Sequence, residues 1–276
     1  MHRNLLIVLT IGLFIAAVSR SWAAEPQTEQ EKVIAEIRNL GGNFIIDQKS
    51  TDKPIIGVDL TGTKASDSVL EHLQGLTKLQ TLNLGVTKVT DAGLENIKGL
   101  TQLLALDLHS TGITNAGLEH LKGLNQLKTL ILSKTKITDA GLERLKGLDQ
   151  LQTLELFETR VTDSGLKNLE GWTQLQGLNL GGTKVSDAVL EHLKGLNQLQ
   201  WLSLRRTKVT DAGLERLEMF PQLKELNVAE TNVTDLGLKH LKNLSQLHTL
   251  TIWWTKVTDA GIRDYKKEFP NVSIKR

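Results

Sequence analysis

The chain has 276 residues, with 33 Lys and Arg against 31 Asp and Glu. That near balance offers no concentrated basic surface, so nucleic acid is not an expected partner. There is no cysteine, which excludes disulfides, a thiol nucleophile and a lipid-modified cysteine.

Residues 1–23 read as a secretory signal peptide. Arg3 precedes an uncharged apolar run from Leu5 to Val18, and Ser21-Trp22-Ala23 is a small-x-small cleavage pattern, with the cut after Ala23 or Ala24. The run is too short for a comfortable membrane span, although a retained anchor is the competing reading. The expected product is exported, to a periplasm, a cell envelope or the medium, and is not an integral membrane protein once cleaved. Loss of Arg3 and Arg20 leaves 31 charges of each sign.

Residues 24–54 form a lead and an N-terminal cap. The stretch Glu25 to Gln30 is polar and contains Pro26, which suits an unstructured lead. Val33, Ile34, Ile37 and Leu40 recur at helical spacing and predict a helix over 31–40, stopped by Gly41-Gly42. NFIID predicts a strand over 43–47, and Lys49 to Lys53 is a linker.

Residues 55–262 hold nine copies of one 24-residue unit, opened by Ile55 and then by Leu79, Leu103, Leu127, Leu151, Leu175, Leu199, Leu223 and Leu247. A fixed period of this length with L-x-x-L-x-L marks a stacked solenoid. Leu79, Leu82 and Leu84 belong to a short strand with one buried face, and Val89 returns to the core. Thr90-Asp91 predicts a helix N-cap, a role then expected of Asp67, Asp139, Asp163, Asp187, Asp211, Asp235 and Asp259 in the other copies. Leu94 and Ile97 bury one face of a helix of about two turns, and Gly99 is placed to end it in the left-handed conformation. Strand, helix and strand in repetition require parallel pairing with right-handed connections. Strands ~4.8 Å apart and helices ~8–10 Å apart force a bend of roughly 20° per copy, with strands on the inside.

The last copy departs from the template. Tyr265 replaces a helix Leu, Phe269-Pro270 replaces Gly-Leu, and Val272 and Ile274 predict a closing strand, so residues 263–276 are a C-terminal cap. Trp172 stands where other copies have a core Leu, and Met219-Phe220-Pro221 is a local repacking.

The L-x-x-L-x-L-x-x-T pattern resembles the leucine-rich-repeat family. The resemblance implies an α/β, right-handed curved solenoid with a parallel sheet on the concave face and short helices on the convex face. The T-D-A-G-L helix start is similar to the cysteine-containing subclass, with Thr in the slot where the family has Asn or Cys. Thr63, Thr87, Thr111, Thr135, Thr159, Thr183, Thr207, Thr231 and Thr255 fill that slot in every copy. The expectation is a buried ladder in which each hydroxyl bonds the backbone of the adjoining copy.

Nothing in the pattern points to catalysis. His72, His120, His192 and His240 share one helix position, but two or three copies apart, too far to share a metal. Asp59, Asp107 and Glu155 lie on the open strand face two copies apart, and no phosphate loop or nucleophile motif appears. No cofactor, metal or catalytic residue is expected.

The copies stop agreeing on the open face. One residue after the third strand Leu the series is Thr61, Gly85, His109, Ser133, Phe157, Gly181, Arg205, Ala229, Trp253, small and large in alternation. Lys134, Glu158, Arg206, Glu230 and Trp254 lie beside it, with Trp201 and Glu225 on the same face. The binding set is therefore His109, Phe157, Trp201, Arg205, Arg206, Glu225, Glu230, Trp253 and Trp254. The four aromatic residues are expected as apolar anchors for a protein or peptide, and the two arginines as partners for its acidic groups. Two other readings stay open. The aromatics could be a platform for a polysaccharide, with Glu225, Asn227 and Asn179 on its hydroxyls, or the chain could be a spacer whose Trp and Arg merely cover strand backbone.

Overall fold

The computed structural model describes residues 28–276; the signal peptide expected over 1–23 lies outside them. Eleven strands form one open sheet in sequence order. The first, β1 (Asn43–Ile46), runs antiparallel to β2 (Ile55–Asp59). From β2 onward, through β3 (Thr81–Asn83), β10 (Thr249–Thr251) and β11 (Ser273–Lys275), every pairing is parallel. Residues 24 apart face each other, as Leu82 faces Leu106 and Leu154 faces Leu178. Short helices return the chain on the other side, and the Leu positions of strand and helix meet in one continuous buried layer. No helix among the described residues is long and apolar enough to cross a membrane.

The helix α1 (Glu29–Asn39) starts two residues ahead of the apolar periodicity. The reason is local. Thr28 accepts from the Glu31 N–H while the Glu31 carboxylate accepts from the Thr28 N–H, so the polar lead is used as a capping box. Some helices within the copies stay α-helical, as Asp67–Leu73 and Asp139–Arg144 do, and others tighten. Asp91–Leu94 is α-helical and continues as a 3₁₀ turn over Glu95–Ile97, while Gly117–Leu121 and Asp163–Leu169 are 3₁₀ throughout. Gly147, Gly171 and Gly195 take the left-handed conformation after their helices, but Gly99 does not.

The Thr series is buried or nearly so, but it does not join the copies. Each hydroxyl donates to the carbonyl three residues upstream in its own copy, Thr87 to Leu84, Thr159 to Leu156, and likewise from Thr63 to Thr255, at 2.5–2.8 Å. The turn explains this. The residue before each Thr has positive φ (Val86 at 57°, Lys134 at 58°, Trp254 at 53°), which folds the chain back on the last strand carbonyl. The same turn lets the sheet bonding run past the strand, with Val86 N–H donating to the His109 carbonyl at 2.8 Å.

The joint between copies is the helix start itself. Asp67, Asp91, Asp139, Asp163, Asp187, Asp211 and Asp235 do not cap their own helices. Each carboxylate reaches the next copy and accepts from the backbone N–H of its Thr or Ser at 2.7–2.9 Å. Its second oxygen accepts from that residue's hydroxyl at 2.5–2.7 Å. In the third copy Asn115 replaces Asp, accepting from Thr138 N–H at 2.9 Å and donating Nδ2–H to its hydroxyl at 2.8 Å. The glycine of T-D-A-G-L clears the approach. A Cβ on Gly165 would overlap Asp139 Oδ1 and stand 2.9 Å from Asp139 Cα, and Gly93, Gly117, Gly213 and Gly237 stand against their own preceding Asp in the same way. Among the Thr N-caps within the copies, only Thr234 and Thr258 also cap their helices by a side-chain bond.

At the C-terminal end Tyr265 is buried, its ring centroid 4.9 Å from that of Phe269, and both pack on the last Leu layer. Burial pushes the Tyr265 hydroxyl up to about 12.

A β-branched residue at positive φ is strained, and Val86 is also half exposed, so its side chain contributes little burial. Val86→Gly is expected to raise stability by about 0.5–1 kcal/mol, read as a higher urea midpoint. A lower midpoint would refute the strain assignment.

Candidate functional site

Strand alternation places residues i, i+2 and i+4 on the concave side. Across β6 (Thr153–Glu155), β7 (Gly177–Asn179), β8 (Trp201–Ser203) and β9 (Glu225–Asn227) this gives three parallel rows. Trp201 faces Gly177 and Glu225, Ser203 faces Asn179 and Asn227, and Arg205 continues the row that holds Phe157 and Trp253. None of the sequence-selected residues enters the Leu layer.

The alternation of small and large side chains does more than provide room. Three of the bulky groups fold onto a glycine of a neighbouring strand. A Cβ on Gly177 would overlap the indole of Trp201, one on Gly85 the imidazole of His109, and one on Gly181 would stand 2.9 Å from Phe157 Cδ2. Trp201, His109 and Phe157 are consequently half-buried.

The charged members pair among themselves. Arg205 Nε donates to Glu230 Oε1 at 2.7 Å, and Arg206 Nη1 donates to Glu158 Oε1 at 3.1 Å, spanning two copies. Lys134 stands 4.0 Å from Glu158 Oε2 and 5.8 Å from the centroid of the Phe157 ring. Arg205 and Arg206, expected as partners for acidic groups of a ligand, thus each have a carboxylate partner within the chain. Such half-exposed pairs are worth roughly 0–1 kcal/mol each, so a ligand could exchange them at little loss.

His109 Nδ1 lies 2.9 Å from Asp107 Oδ1, and Ser133 follows one strand later in the same row. The three do not form a nucleophilic array. The imidazole lies over Gly85, on the side away from Ser133, whose buried Oγ has no hydrogen-bond partner among the described residues. No group of three or more His, Asp or Glu among the described residues could hold a metal ion.

Three members remain unpaired and exposed among the described residues. Trp253 and Trp254 are 44% and 76% accessible at the C-terminal end of the inner rim. Beside Trp201, Glu225 is exposed without an ion-pair or hydrogen-bond partner among the described residues. It helps line a shallow depression of about 290 Å³ with Trp201, Ser203, Asn227, Thr251 and Lys275. Ser203, Thr251 and Lys275 were not among the sequence-selected residues. Their shared row with Asn179, repeated every 24 residues, was the signal available.

A Leucine Rich repeat family model matches residues 75–98 and 124–146. No curated protein matches the sequence. Among solved structures, an internalin (inlF) from Listeria monocytogenes is similar with a TM-score of 0.64 at 24% identity, over 88% of this chain and 74% of its own. An internalin C2 (inlC2) from the same organism has a TM-score of 0.54 at 26% identity, over 76% of this chain and 82% of its own. With the 24-residue register, the single parallel sheet and these matches in hand, the chain carries leucine-rich repeats and shares the fold of leucine-rich-repeat proteins.

Proposed function

We propose that the protein is an exported, non-catalytic recognition module that holds a protein or peptide on its concave face. The observation that carries this reading is the exposure of Trp253 and Trp254 on the inner rim. Two adjacent indoles in water cost free energy unless a partner covers them, and Trp is among the residues that dominate interface energetics. Trp254 occupies the positive-φ turn position common to every copy and is the more exposed of the two. Export is supported by the charged, apolar and small-residue order of residues 1–23. The absence of a positioned nucleophile and base at Ser133 and His109 fits a binding role.

A random peptide library displayed on phage tests the reading. The expected result is an enriched sequence that binds the wild-type rim and binds Trp253→Ala/Trp254→Ala at least about ten-fold more weakly. Because both side chains are exposed, the double variant is expected to melt with the wild type. Selected peptides that bind both forms equally, or a library that yields none, would overturn the proposal.

A further inference from the structure

We infer that the depression beside Trp201 is a subsite for a neutral hexopyranose unit, separate from the Trp253/Trp254 anchor and independent of the protein-binding reading. Trp201 does not stand up from the sheet. Its indole rests on the backbone of Gly177, where any Cβ would overlap it, and it remains half-buried. A ring laid down in this way offers a flat platform rather than a knob.

What surrounds the platform is polar and unsatisfied. Glu225 pairs with Trp201 across the strand boundary, and Ser203, Asn227 and Thr251 occupy the next row. The Glu225 carboxylate and the Ser203 and Thr251 hydroxyls have no hydrogen-bond partner among the described residues. Asn227 Oδ1 accepts from the Ala229 N–H at 3.0 Å, which fixes the amide and leaves its Nδ2 donors for a ligand. Lys275 closes the far end of the depression.

An apolar peptide side chain would gain little here, because a hot-spot anchor needs apolar walls that exclude water, and these walls are polar. A pyranose has the matching asymmetry. One face carries C–H groups that stack on an aromatic ring, and its edge carries hydroxyls that donate to a carboxylate and accept from an amide. The depression, about 290 Å³, is at the lower end of ligand pockets, so it suits one unit or a short segment rather than a long chain. The unit could belong to a free oligosaccharide or to a glycan on a protein, and the chemistry is the same.

Saturation-transfer NMR with soluble gluco-, manno- and N-acetylglucosamine tetrasaccharides, and with a glycoprotein before and after enzymatic deglycosylation, tests the inference. At least one probe is expected to bind at millimolar concentration or below. Trp201→Ala should weaken it about ten-fold, Glu225→Ala several-fold, and Trp253→Ala/Trp254→Ala not at all. Tetrasaccharide binding identifies a free glycan as sufficient, and binding only to the intact glycoprotein identifies a protein-borne one. Since Glu225 is exposed, its variant keeps the test valid if Trp201→Ala loses fold. No binding by any probe, or binding unchanged in both Trp201→Ala and Glu225→Ala, overturns the inference.

Discussion

Asp139→Ala is expected to lower the unfolding free energy by about 3 kcal/mol, whereas Asp139→Asn lowers it by about 1 kcal/mol. The carboxylate accepts from Thr162 N–H at 2.8 Å and from Thr162 Oγ1 at 2.7 Å, two charge-assisted bonds made by one side chain across a copy boundary. Alanine leaves both donors partly buried without an acceptor, and it opens a gap in front of Gly165, whose missing Cβ makes room for that carboxylate. Asparagine keeps one acceptor and reverses the second bond, an arrangement the chain already uses at Asn115 with Thr138. Asp149→Ala, at an exposed site with no side-chain hydrogen bond among the described residues, should stay within about 0.5 kcal/mol of wild type. Urea unfolding followed by circular dichroism measures all three. A double-mutant cycle with Thr162→Val should show a coupling above about 1 kcal/mol. An Asp139→Ala midpoint indistinguishable from that of Asp149→Ala would mean the carboxylates do not hold the stack together.

This joint is also where sequence and structure part company. Thr90-Asp91 at a helix start reads equally well as an N-cap or as half of a link to a neighbour, because the partner sits at the same place in the period. Asp67 and Thr90 are 23 residues apart, and no local pattern distinguishes a carboxylate turned toward its own helix from one turned toward the next. The Thr slot after the strand misleads for the opposite reason. Its burial is legible, but its acceptor is three residues away, and only the positive φ of the preceding residue brings that carbonyl within reach. By contrast the core was written openly: Leu82, Leu84, Val89, Leu94 and Ile97 are all buried, since their spacing alone dictates which side of strand or helix they occupy.

The candidate site was legible in its residue types and not in its posture. That Trp201 lies down follows from Gly177 one period earlier, a pairing visible in the sequence once the register is known. The ion pairs were not visible. Glu230 is 25 residues from Arg205, one more than the period, and Glu158 is 48 from Arg206, two full periods, so the repeat brings these slots near one another but the reach of the side chains decides which of them pair. The consequence is functional. The middle of the rim is electrostatically self-satisfied, and the unpartnered groups concentrate at Trp201 with Glu225 and at Trp253 with Trp254.

Trp172→Ala should cost about 3–5 kcal/mol and, more tellingly, should split the unfolding transition. The indole is 2% accessible and occupies the slot held by Leu148 and Leu196 in the flanking copies, so it fills the layer where the fifth copy meets the sixth. In an array whose copies touch only their neighbours, stability is the sum of copy and interface terms, and one weak interface lets the two sides come apart separately. Every remaining tryptophan among the described residues, Trp201, Trp253 and Trp254, lies C-terminal to the lesion. Fluorescence then reports the C-terminal side, while circular dichroism reports the whole stack. In wild type the two transitions should coincide; in Trp172→Ala they should separate along the urea axis. Trp172→Leu restores the side chain used by the neighbouring copies and should bring them back together at a cost below about 1.5 kcal/mol. Coincident transitions in Trp172→Ala would show that the Asp and sheet ladders couple the two sides strongly enough to survive the loss of a full core layer.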